Sequence, residues 1–281
     1  MNYENQTYDQ ERALYGLQDA VVKNCKFAGP ADGESFLKEC QRIDVSDCYM
    51  DLRYPLWHVT DGKIRNCEMT ENCRAALWYD KNLEISNCKM FGIKALRECE
   101  DVLLENCTVD SPEFIWKVKN ITVNNVEILG SEYPFFQVEN AKISGLKLKG
   151  KYSFQYDENI EINDSEFDTK DAFWHSKNMT IKNSVIKGEY LAWYSENLTF
   201  ENCRIIGTQP FCYCKNLVLK NCVLEQCDLA FERSEVYADI HSKIDSVKNP
   251  LLGYITADEI GEVILDETFN FRTDCKIKTR G

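Results

Sequence analysis

Two carboxylates, Asp171 and Glu189, fall on consecutive repeats of this chain beside His175, Trp174, Tyr190 and Trp193. Acids on neighbouring turns of a stacked fold stand about 5 Å apart, the separation of a retaining glycosidase pair, in which one acid protonates the leaving oxygen while the other attacks the sugar. Asp171, Glu189 and His175 are therefore the candidate catalytic residues. Charged surface columns produce the same adjacency as ordinary solvated pairs. A second group, Arg53, Arg74, Lys94 and Arg97, lies beside Trp57, His58, Trp78 and Glu98 and forms a basic island on an acidic chain. Such an island suits a carboxylate or phosphate; pairing with Glu98 and Glu113 is the plainer alternative.

Metal and thiol chemistry find less support. The chain holds 14 Cys and 3 His. His58 and His175 share one column six rungs apart, about 29 Å at the strand spacing, and cannot share an ion. Stacked cysteines about 4.8 Å apart with parallel side chains do not meet disulfide geometry, and a small thiol suits a narrow corner of a core. No Cys-His nucleophile pair and no glycine-rich phosphate loop stands in the chain. The expectation is no metal and no cofactor.

The elements that must position these residues follow from one repeat. An Asn-Cys pair recurs, with equivalents at Cys25, Cys48, Cys67, Cys88, Cys107, Val126, Leu146, Ser165, Ser184, Cys203 and Cys222, at intervals of 23, 19, 21, 19, 19, 20, 19, 19, 19 and 19 residues. So regular a period marks a solenoid. Three residues before each marker, and two after it, every repeat is apolar, as at Ile85 and Met90 or Ile181 and Ile186. Charged or hydroxyl residues alternate with them, which is the pattern of short strands with one wet face. Asn immediately before the marker (Asn66, Asn87, Asn183) and six before it (Asn82, Asn178, Asn197) tolerates left-handed backbone and supplies the bends. A leucine-rich repeat is disfavoured, because only one spacer separates the second apolar residue from Asn in Leu217-Val218-Leu219-Lys220-Asn221-Cys222 and no amphipathic helix pattern follows.

The fold expected is all-β, a right-handed parallel β-helix of about 11–12 rungs with a ~19-residue period, its hand taken from the crossover rule for parallel strands. Residues 1–19 read as an N-terminal cap and partial rung, 20–228 as the β-helix, and 229–281 as strands that lose the register and close the end, all in a single domain. The arrangement resembles the pectin-lyase-like right-handed β-helix proteins over roughly residues 12–228. More narrowly, Leu52 to His58, Arg74 to Tyr79, Gly207 to Cys214 and Ile244 to Pro250 are similar to segments of an uncharacterised bacterial family with this fold. That resemblance implies the fold and no catalytic residues. Polygalacturonate lyases of the pectin-lyase type use calcium on clustered aspartates with an arginine base, and no matching cluster stands here.

Ten residues before the marker runs an aromatic column that holds all 5 Trp of the chain: Trp57, Trp78, Trp116, Trp174 and Trp193, with Arg97, Phe136 and Gln155 between them. The preceding residue (Leu56, Leu77, Phe173) is purely apolar, so strict strand alternation puts the tryptophans outside. The same alternation turns Tyr54, Tyr133, Tyr152, Tyr190, Glu113 and Asp171 outward. A wall roughly 40 Å long results, fit for a saccharide or other extended ligand; the alternative is a scaffold or homo-oligomer that buries the aromatic face against protein.

Lys plus Arg number 33 against 46 Asp plus Glu, a net charge of −13, which repels nucleic acid and anionic membranes. The first residues show no secretory leader and no segment is apolar enough to span a bilayer, so a cytoplasmic location is expected.

Overall fold

The computed structural model describes residues 1–266 and 272–280. The chain divides into two compact units, Met1–Lys142 and Ile143–Gly281. Each is a parallel β-solenoid, and no helix occurs among the described residues. The period is about 19 residues and the turns number about 14, more than the 11–12 read from the Asn-Cys marker. The extra turns come from both ends. Asn2–Glu4 pairs in parallel with Gln18–Lys23, and Thr7–Tyr8 with Lys26–Phe27. Residues after 229 add turns as well: Glu235–Ile240, Leu252–Ala257 and Asp274–Thr279 continue one parallel ladder, while Lys243–Lys248 pairs with Glu259–Ile264. The marker is lost there but the inward positions Val236, Ala238, Ile255 and Ala257 stay apolar and buried, and inward burial is what stacking requires.

In the first unit Ile64, Ile85 and Leu104 stand opposite one another on adjacent strands. In the second, Ile162, Ile181 and Phe200 do the same. Side chains nineteen apart therefore form vertical files, and the two apolar files flanking the marker are fully buried in each unit.

The marker residue is a hydrogen-bond donor as well as a filler. The thiols of Cys67 and Cys88 donate to the carbonyls of Arg65 and Ser86, each at 3.2 Å, and Cys88 Sγ accepts the Cys67 N–H at 3.4 Å. In the second unit the hydroxyls of Ser165 and Ser184 donate to Asn163 and Lys182 at 2.8 and 2.7 Å, and Ser184 Oγ accepts the Ser165 N–H at 3.1 Å. Ser and Cys interchange in this column because both are small and both donate. The asparagine bends are left-handed as expected, with φ of 54° at Asn87 and 58° at Asn197. Their amides also bond up the stack: Asn197 Nδ2 reaches Asn178 Oδ1 at 2.9 Å, and Asn216 Nδ2 reaches Asn197 Oδ1 at 2.8 Å.

The third side of each turn is no strand. Asp171, Phe173 and His175 have φ of 53°, 62° and 56°, so left-handed residues alternate with ordinary ones. Their N–H groups donate alternately to the following and the preceding turn, at Glu189 O (3.0 Å), Ser153 O (2.9 Å) and Trp193 O (3.0 Å). The same alternation holds in the first unit at Ala75, Leu77 and Tyr79. A left-handed bulky residue costs about 1–2 kcal/mol, offset here by burial and by a turn-to-turn bond at each position. Inward and outward positions then no longer alternate strictly: Ala75, Ala76 and Leu77 are all buried, and so are Asp171, Ala172 and Phe173. Asp171, expected to face outward, is only 6% exposed.

Candidate functional site

The tryptophan column lies along this irregular side, half-buried in both units. Each indole N–H donates to a backbone carbonyl on the next turn. Trp57, Trp78 and Trp116 reach Ala75, Lys94 and Tyr133, each at 2.6 Å; Trp174 and Trp193 reach Tyr190 at 2.6 Å and Gln209 at 2.8 Å. These acceptors all occupy the column thirteen before the marker. Gln155, in the tryptophan column of the second unit, uses its amide in the same way, donating to Asp171 O at 3.1 Å. The column thus supplies a donor to a carbonyl on the irregular side, and an indole does so while covering the bend with apolar area.

The ring faces are occupied as well. In the first unit Trp57 and Trp78 stack at 5.0 Å with planes 2° apart. Lys38 Nζ lies 4.8 Å from the Trp57 ring. The Arg97 guanidinium is inserted between Trp78 and Trp116, at 4.9 and 4.4 Å from their ring centres, and Phe136 packs on Trp116 at 4.8 Å. In the second unit Trp174 and Trp193 stack at 5.4 Å and 3°. In the first unit the column neighbours of each indole take up both its faces, and in the second Trp174 and Trp193 each cover one face of the other.

The residues of the basic island do not converge on one site: Arg97 and Lys94 share a carboxylate, and Arg53 pairs elsewhere. Arg97 holds Glu113 at 2.8 Å with its side chain 17% exposed, and Lys94 lies 3.8 Å from the same carboxylate. Arg53 instead pairs with Asp32 at 3.1 Å and Glu34 at 3.5 Å. Arg74 is exposed. His58 is exposed and stacks on Tyr79 at 5.0 Å.

In the second unit Lys170, directly one repeat before Glu189, bonds its carboxylate at 3.1 Å. Asp171 is set one column over, between Tyr152 and Tyr190 in the file. Burial pushes its carboxyl above the ordinary carboxylate range; Lys170 pulls the other way and Glu189 adds to the rise. His175 lies flat between Tyr156 and Tyr194, at 4.9 and 5.1 Å with planes 7° and 8° apart. Tyr213 continues that stack at 4.8 Å from Tyr194.

This outer column was not singled out in the sequence, although its signal was the same period: Tyr156, His175, Tyr194 and Tyr213 are each nineteen apart and each follows the tryptophan-column residue. Tyr156 and Tyr194 are 51% and 46% exposed, well above the half-buried tryptophans. No group of His, Cys, Asp and Glu able to hold a metal ion occurs among the described residues. A shallow polar depression lined by Glu161, Asn163, Thr180 and Lys182 lies on the sheet face of the second unit and includes none of the sequence-predicted residues.

No curated protein matches the chain. Among solved structures, the catalytic domain of a GH87 α-1,3-glucanase is similar at 9% identity with a TM-score of 0.33, over 100% of this chain and 64% of that one. The plasmid-mediated fluoroquinolone resistance protein QnrB1 is similar at 11% identity and 0.26, over 78% and 88%. HetL, a pentapeptide repeat protein from the cyanobacterium Nostoc sp. strain PCC 7120, is similar at 10% identity and 0.27, over 83% and 87%. These are distant likenesses of solenoid fold, shared by glycan enzymes and pentapeptide-repeat proteins alike, and they assign no activity. The match that covers nearly the whole chain, residues 1–278, is to the family described as protein of unknown function DUF3737, and the chain belongs to that family.

Proposed function

We propose that this protein is a non-catalytic interaction scaffold that receives a protein partner along the tyrosine and histidine edges of its second unit. The observation that carries this reading is the stacked Tyr156–His175–Tyr194–Tyr213 column, exposed from Tyr156 to Tyr194 and half-buried at Tyr213, beside Trp174 and Trp193, which stack on each other. Tyrosine edges with phenolic hydroxyls offer rigid amphipathic area at small entropic cost, which is why the residue is enriched at protein interfaces.

Saccharide binding along the tryptophans is the competing reading. It asks for open ring faces, and here Trp57, Trp78 and Trp116 have both faces covered while Trp174 and Trp193 each give one face to the other. The glycosidase pair asks for two acids facing one substrate, whereas Glu189 bonds Lys170 and Asp171 is recessed.

The test is binding of short random-sequence peptides against a glycan array, with the Tyr156→Ala/Tyr194→Ala double variant and the Trp174→Ala variant in parallel. Peptide binding lost in the tyrosine variant is expected. Saccharide-induced tryptophan fluorescence shifts, with no peptide bound, would overturn the proposal in favour of a glycan-binding protein.

A further inference from the structure

We infer that the recess at Asp171 is a seat for a guanidinium group supplied by the partner, an inference that rests on the protein-binding reading above. The first unit provides the comparison. Thirteen residues before the marker, Glu113 is the acid of its turn, and Arg97, sixteen residues earlier in the tryptophan column, donates to its carboxylate at 2.8 Å while lying between two indoles. Asp171 occupies the same column in the second unit, and the residue sixteen earlier is Gln155. Its amide serves the Asp171 backbone carbonyl, not the carboxylate. The nearby Lys170 ammonium is committed to Glu189 at 3.1 Å and lies 5.3 Å from the centre of the Tyr190 ring.

Among the described residues the Asp171 side chain has no hydrogen bond and no ion pair; the residue is 6% exposed, and its carboxylate oxygens are what still reach solvent. A carboxylate that is largely covered and has no partner loses part of its hydration, and an incoming cation offsets that loss. The neighbours suit a planar cation. Tyr152 and Tyr190 flank Asp171 in its file, and Trp174 follows three residues on. Guanidinium combines a fork that matches a carboxylate with a flat face that packs on aromatic rings. The charge of the whole chain, −13, draws a basic segment toward it.

The experiment is an NMR titration of the full chain with a blocked Gly-Arg-Gly tripeptide and its citrulline counterpart, which keeps the shape and loses the charge. The arginine peptide is expected to shift the Trp174 indole N–H saturably and to leave Trp57 and Trp78 in place, with the citrulline peptide at least tenfold weaker. Asp171→Asn should abolish the response. Gln155→Arg should also abolish it by supplying an internal guanidinium, as Arg97 does for Glu113, and this second variant keeps the test decisive if the first folds poorly. Equal shifts from both tripeptides, an unchanged response in Gln155→Arg, or no response would overturn the inference. If random-sequence peptides still bind through Tyr156 and Tyr194 in that case, only the guanidinium seat fails; if no peptide binds at all, the interface reading fails with it.

Discussion

The indole N–H of Trp174 donates to the backbone carbonyl of Tyr190, one turn on, at 2.6 Å. Two consequences follow: the tryptophan is held as a structural pin, and the carbonyl of a left-handed residue (φ 57° at Tyr190) is satisfied where the strand ladder cannot reach it.

Replacing that donor tests the pin. Trp174→Phe keeps most of the apolar area and removes the N–H, leaving a half-covered carbonyl unpaired, which should cost about 1–3 kcal/mol. Trp174→Ala should cost about 3–5 kcal/mol, because packing goes as well. Urea midpoints of the two variants against the parent measure both. Gln155→Leu should repeat the smaller loss through Asp171 O.

Asp80 offers a pH-dependent test. It is fully buried; its Oδ1 accepts the Val59 N–H at 2.7 Å, and its Oδ2 has no partner. Burial raises its carboxyl well above the usual 3.8. The folded protein therefore holds this proton at pH values where the unfolded chain has released it. The acid's contribution is intact below pH 3.8 and is eroded as pH climbs toward the raised value. Asp80→Asn mimics the protonated acid and should be more stable than the parent at pH 7, with the gap closing toward pH 4. A constant gap at all pH values would speak against a neutral Asp80.

The thiols can be counted. Thirteen of the 14 cysteines are buried and unpaired, and Cys275 is half-buried. A thiol reagent should label about one equivalent in the native protein and all 14 after unfolding. In the marker column Cys67→Ser retains the donor to Arg65 O and should cost less than Cys67→Leu, for which overpacking amounts to about 1–3 kcal/mol.

The asparagine ladders carry a conformational requirement in addition to their bonds. Asn197→Val places a β-branched residue at φ 58° and removes both stacked amide bonds, while Asn197→Gly removes only the bonds. The valine variant should be the less stable by about 1–2 kcal/mol, as read from thermal midpoints.

The repeat made most of the fold legible. Asn before the marker signalled the left-handed bends, and the period placed Ile64 against Ile85 and Ile162 against Ile181. The third side was not legible, because Leu77, Ile115, Phe173 and Asp171 adopt left-handed backbone with no glycine or asparagine to announce it. Strand alternation applied there turned Asp171 outward and left the tryptophan faces open. The outer column fared no better: Tyr156, His175, Tyr194 and Tyr213 obey the same period, but only the geometry reveals that their rings stack on one another. The last turns escaped because stacking needs inward apolar residues, not the Asn-Cys pair itself.

Hydrogen exchange of the indole N–H protons, followed by NMR, tests most directly the claim that the tryptophans are pins and leave recognition to the column beside them. All five indole protons should be protected in the folded protein, with Trp174 and Trp193 remaining so when a peptide binds. Exchange at the rate of an unbonded indole, or indole protons that move only when a saccharide is added, would contradict it.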